Sequence, residues 1–180
     1  MSEHLELHPE NKRIAMLIAV LALVLAVCET LSKGYQTEVI SKHIQSSDLW
    51  SFYQAKTIRQ TATQLTIDTL KLSDRKDDPS ITAALEKWEK DVKRYSSEPD
   101  KGEGRKELAE RAQIAEHQRE EASHRYHSLE IAVGMLQVAI VLASASVLTG
   151  MMALAWLSGG LGLTAAGIAA YATLIGGHLI

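Results

Sequence analysis

The chain has one cysteine, Cys28, and that excludes every chemistry that needs two thiols: a structural disulfide, a Cys-pair zinc site, a dithiol redox centre or covalent haem attachment. No glycine-rich loop sits where a strand would turn into a helix, so no phosphate cradle is present. Aromatic residues make up 5% of the 180 residues, too few to build a large aromatic core. No Lys or Arg follows Arg125, and the formal net charge is −3. Nucleic-acid binding is therefore not expected, because it needs clustered cations on one face. Proline and glycine are missing from Tyr35 to Leu72, and Gly104 is the one such residue between Glu103 and Gly134. Apart from Gly104, neither stretch holds anything that would break a helix.

What is present is apolar length. Ile14 to Cys28 is apolar without exception and, passing over Glu29 and Thr30, the run reaches Leu31, about the minimum that crosses a hydrocarbon layer ~30 Å thick. Lys12 and Arg13 precede it as they would precede a signal peptide, but Ala26-Val27-Cys28 lacks the small residue a cleavage site wants next to its cut. The expectation is an uncleaved anchor. Ile131 to about Leu157 is long enough to span, and Leu161 to Ile180 supplies another run of about the necessary length. The turn between these two is expected at Trp156-Leu157-Ser158-Gly159-Gly160, with the indole of Trp156 at an interface.

Between the first and second spans the pattern changes to heptads. Leu108, Ala112, Ala115, Arg119, Ala122, Tyr126, Leu129 and Val133 fall alternately four and three residues apart, one stripe of a long helix that continues into the second span. Ile58, Ala62, Leu65, Thr69 and Leu72 repeat that step, predicting a second stalk helix antiparallel to the first. Residues 73–80 read as a charged turn, with Ser80 as the next N-cap. Ile81, Leu85, Trp88, Val92 and Tyr95 then mark a short helix that ends before Ser96 to Gly104.

The expected fold is thus an all-α integral membrane protein with three transmembrane helices and a coiled-coil-like helical hairpin inserted between the first and second. The boundaries are a polar tail at 1–13, spans at 14–33, 129–157 and 158–180, and an extramembrane domain at 34–128.

His8-Pro9-Glu10-Asn11-Lys12, Glu29-Thr30-Leu31 and the block from Ser47 through Leu49, Trp50, Phe52 and Tyr53 to Arg59 resemble an uncharacterised family of bacterial membrane proteins known only as a domain of unknown function. The resemblance covers the whole chain. It implies a multi-pass protein of the bacterial inner membrane and carries over no activity or binding residue. The aromatic block itself reads as a core where soluble helices meet, in preference to a partner-binding surface.

Chemistry-bearing groups are few. Glu121 and His124 have the Glu-x-x-His spacing that supplies two metal ligands from one helix face, and His117, Glu120 and His127 lie within two turns. No second Glu-x-x-His exists in the chain, so a solvated helix face is the stronger reading and neither metal nor cofactor is expected. Glu29 and Glu130 fall at span edges, Gln137 lies nearly two turns inside the second span, and His178 falls at the C-terminal edge. Glu29 and Gln137 are the groups that would line a pore or bond across helices. Small residues recur every three or four positions in the later spans, with Ala139, Ala143, Ser146 and Gly150 on one and Gly162, Ala166 and Ala170 on the other. Such faces let helices approach closely in lipid.

These readings lead to a non-enzymatic homo-oligomer in membrane lipid with a scaffold or protein-partner role. The alternative is an oligomeric channel whose polar span residues line a path. The amine, Lys12 and Arg13 against Lys33 favour a cytoplasmic N-terminus by a narrow margin.

Overall fold

A computed structural model describes residues 9–73 and 78–174. His8, most of the charged turn at 74–77, and His178 with the last six residues lie outside the described residues. Within them every regular element is a helix: α1 Pro9–Lys71, α2 Pro79–Ser96, α3 Arg105–Thr149 and α4 Met152–Leu174. Three of these, α1, α3 and α4, are long and apolar enough to cross a membrane.

The chain divides into two units. One comprises Met1–Val39 with Glu120–Ile180 and the other Ile40–Arg119; α1 and α3 contribute to both.

In the first unit, Leu21 and Cys28 of α1 pack with Leu129, Ala132, Leu136 and Ala139 of α3 and Ala165, Ala169 and Ala172 of α4. The buried residues of α3 and α4 are mostly Ala, so the interhelical spacing is set by backbone approach. A Cβ at Gly162 would collide with Leu21 Cδ2, so the missing side chain at Gly162 is what admits Leu21 of α1 against α4. Ser158 Oγ donates to Ala139 O at 2.7 Å, joining α4 to α3 by the kind of interhelical hydrogen bond that substitutes for a hydrophobic drive in lipid.

The break between α3 and α4 lies earlier than the sequence suggests. Helix α3 ends at Thr149, and Gly150 takes φ +69°, the left-handed conformation glycine supplies one residue past a helix. Its N–H donates to Ser146 O at 2.9 Å, and Ser146 Oγ donates to Met151 O at 3.0 Å. Trp156, Ser158, Gly159 and Gly160, the expected turn, are all helical. An adjacent glycine pair does not stop a helix whose faces are packed, whereas Gly150 meets the requirement for positive φ.

In the second unit, the α1 and α3 segments run antiparallel, because Trp50 meets Glu116 while Gln60 meets Arg105. The buried α3 stripe is the expected one: Leu108, Ala112 and Ala115 are each at most 1% exposed. The buried α1 stripe is different from the one expected. Leu49, Lys56 and Ile67 are buried, with Tyr53, Gln60, Thr63 and Leu70 half-buried between them. Ile58, Leu65 and Leu72, the expected contact stripe, are 69%, 62% and 88% exposed.

Helix α2 is capped by Asp78, not Ser80. Asp78 Oδ1 accepts from Ser80 N at 2.9 Å and Ser80 Oγ at 2.7 Å, and Pro79 occupies the first helical position, where its missing N–H is no loss. No α2 residue is fully buried, and Lys71 Nζ bridges Glu89 at 2.6 Å, linking the end of α1 to α2.

Candidate functional site

The densest set of polar and aromatic contacts in the second unit lies where α1 meets the α2–α3 turn. The turn is shaped by glycines. Gly102 has φ +64°, and its N–H donates to Glu98 O at 2.9 Å. Gly104 is buried, and a Cβ there would overlap Glu98 N and Ser97 Cα as well as the Glu107 carboxylate. With no side chain at Gly104, Glu107 in the first turn of α3 reaches back to accept from Ser97 Oγ and from Glu98 N at 3.1 Å. The Ser97 hydroxyl, chiefly, holds the Glu107 carboxyl below its ordinary range.

Against this turn α1 places the residues of the aromatic block. Trp50 Nε1 donates to Glu116 Oε1 at 2.8 Å, and its ring meets Tyr53 edge-on at 5.5 Å. Tyr53 OH accepts from Arg105 Nη2 at 2.9 Å, and the guanidinium carbon lies 5.0 Å from the Tyr53 ring centroid. Arg105 Nη1 donates to Gln60 Oε1 at 2.7 Å. Lys56, 6% exposed, has its ammonium 5.7 Å from the Phe52 centroid and 5.6 Å from that of Tyr95, with Glu98 at 3.8 Å and Glu103 at 3.9 Å. A buried ammonium needs opposite charge and π faces to replace its hydration, and this one has both.

Trp50 and Tyr53 thus bind their own chain, and Phe52 is 41% exposed over Lys56. Arg105 and Lys56 complete the cluster, and sequence reasoning missed both. The signal that would have found them is register: Leu49, Tyr53, Lys56, Gln60, Thr63, Ile67 and Leu70 form a heptad of their own, hidden because its middle members are polar.

The remaining candidates are dispersed. His124 and His127 are exposed and Glu121 half-buried, and among the described residues no group of three or more His, Cys, Asp or Glu could hold a metal ion. His127 Nδ1 lies 3.8 Å from Glu130. In the first unit Glu29 is half-buried, whereas Gln137 is exposed. Of the proposed packing residues, Gly162 is taken up by Leu21 of its own chain, Ala166 is half-buried and Ala170 is exposed. Arg125 lies 5.6 Å over the Tyr35 ring, joining α1 to α3 within the first unit.

The arrangement defines an all-helical protein with three potential spans, whose best-formed polar cluster joins helices of one chain to each other. The model of DUF4337, a domain of unknown function, matches residues 10–175, and the chain belongs to that family. No curated protein and no solved structure matches it.

Proposed function

We propose that the protein is a non-enzymatic, membrane-anchored homo-oligomer that serves as a scaffold, with its N-terminus cytoplasmic in a bacterial inner membrane. The observation that carries this reading is the exposure of Gln137 on α3, seven residues beyond Glu130 in an otherwise apolar run. A carboxamide facing hydrocarbon loses its hydrogen bonds with water, and a second copy can restore them. Exposed Ala170 on α4 provides a small face of the kind that helices in lipid use to approach one another. The polar cluster at the α2–α3 turn spends its charged side chains on contacts within the chain, with Lys56 against Glu98 and Glu103 and Arg105 against Gln60 and Tyr53.

Light scattering of the detergent-solubilised chain tests the reading. The parent is expected to be larger than a monomer, and Gln137→Leu combined with Ala170→Leu to be smaller. A monomeric parent overturns it. A channel is the competing reading, since a ring of Gln137 amides from several copies would make a polar path. Ion flux across vesicles carrying the parent, abolished by Gln137→Leu, would favour the channel over the scaffold.

A further inference from the structure

The stripe of α1 left outside the folded chain has a regularity that its own monomer does not use. In the second unit Ile44, Ile58, Leu65 and Leu72, with Ser51 in sequence between them, recur every seven residues and are exposed, the four apolar ones by 54%, 69%, 62% and 88%. Asp48, Ala55, Ala62 and Thr69 fill the alternate positions. Arg59, Asp68 and Lys71 are exposed on the same turns, charges that suit a segment standing in water, as the reading above has it. Aligned apolar side chains in water mark a contact surface, and an open groove of about 720 Å³ runs along this face past Ile44, Asp48, Ser51, Phe52 and Ala55.

We infer that this stripe pairs with the same stripe of a second copy, as a parallel, in-register two-stranded coiled coil. The inference deepens the oligomeric reading above by naming its interface. Two copies anchored in one membrane share an orientation, so their α1 helices present the heptad in parallel and each residue meets its own counterpart. The flanking positions are compatible with that geometry. Counted in sequence the register runs back through Gly34 and Thr30, which places Lys33 and Glu38 at the flanking positions that meet across a parallel pair, five residues apart on opposite chains. Both are exposed, and neither has an ion-pair partner among the described residues. Two-fold symmetry makes the Lys33 to Glu38 contact twice. Farther up, Arg59 meets Gln54, and Asp68 meets Ser73, so no like charges face each other on the flanks. Asp48 is the exception. It falls on the seam, where two carboxylates would oppose each other, and a polar residue at such a position costs stability while fixing register.

The test uses the full chain in lipid vesicles with Cys28 replaced by Ala and one cysteine returned at a time, treated with a short bismaleimide. Leu65→Cys and Leu72→Cys are expected to cross-link at least about tenfold faster than Gln64→Cys, which is exposed on a neighbouring face. Light scattering supplies the second readout: Leu65→Asp with Leu72→Asp should dissociate the assembly, and Asp48→Ala should hold it together at lower concentration. These positions are exposed, so helix content by circular dichroism should match the parent. An oligomeric parent with equal cross-linking at all three sites, or one that the double Asp variant leaves intact, overturns this interface and leaves oligomerisation standing. A monomeric parent overturns both.

Discussion

Trp50 Nε1 and Glu116 Oε1 lie 2.8 Å apart, a hydrogen bond to a carboxylate that spans 66 residues of sequence and fixes the register of α1 against α3 in the second unit. Its flanks are apolar on the α3 side, where Ala112 and Ala115 are buried. A residue slip in either helix would break the bond and bury the carboxylate against alanine.

Trp50→Phe keeps the edge contact with Tyr53 and removes the donor. Hydrogen bonds to charged groups contribute about 1.5–3 kcal/mol when buried. Because Trp50 is half-buried, a loss of about 1 kcal/mol is expected, lowering the melting temperature by about 2–4 °C in a chain of this size. Circular dichroism of the solubilised protein reads it, and Phe52→Leu should shift the melt less.

Lys56→Met retains the aliphatic stem and removes the ammonium between Glu98 and Glu103. Both ion pairs are long, at 3.8 and 3.9 Å, and each cation–π contact is worth about 0.5–1 kcal/mol, so the expected loss is about 1–2 kcal/mol. Lys56→Glu places a third carboxylate among two and should be far worse. Limited proteolysis at the α2–α3 turn should rank them parent, Met, then Glu in order of increasing cleavage.

The glycines should separate by geometry. Gly104→Ala drives a methyl into the backbone of Ser97 and Glu98 and is expected to cost about 1–3 kcal/mol, as overpacking does. Gly102→Ala and Gly150→Ala meet open space but positive φ, costing about 1–2 kcal/mol. Gly134→Ala meets nothing inside a helix and should be stabilising by about 0.5–1 kcal/mol. Thermal melts of the four variants give the order.

Acid should loosen the second unit first at its turns. Glu107 is held below its ordinary value of 4.5 by Ser97, and Asp78 below 3.8 by its hydrogen bonds from Ser80. Each folded carboxyl binds its proton less readily than in the unfolded chain, so its contribution is full above those ordinary values and disappears as pH falls through the lower folded ones. Hydrogen exchange between pH 5 and about pH 3 should show amides near 79–82 and 97–108 losing protection early. Ser97→Ala should weaken the pH dependence at the second site, leaving the smaller part that the backbone N–H of Glu98 and the charge of Lys106 supply.

The helices of this fold were legible because length, helix-forming composition and heptad spacing agree. The α3 stripe was legible too, since Leu108, Ala112 and Ala115 are apolar and have no rival. On α1 two stripes compete, and apolarity points to Ile58, Leu65 and Leu72. The one buried holds Lys56 and Gln60, because Glu98, Tyr95 and Arg105 are waiting there, and those partners come from sequence too distant to show in any local pattern. The same blindness hid the Gly150 turn: Gly159-Gly160 looks like punctuation, while φ at a lone glycine cannot be read from its neighbours. The N-cap was obscured in a similar way, because Ser80 is a good cap residue and Asp78 stands inside a run of charges.

The two-residue link at Gly150 and Met151 bears on how the protein is made. From Ile131 to Leu174 no residue carries a formal charge, so the apolar part of α3 and all of α4 hold no topogenic signal of their own, and the link is too short for their translocation to be decided separately. Under the proposed membrane reading the hairpin enters a bilayer as one piece, and which leaflet its tip reaches is inherited from the charges upstream of Ile131. A lysine placed at the Gly150 tip would give that hairpin an orienting signal of its own.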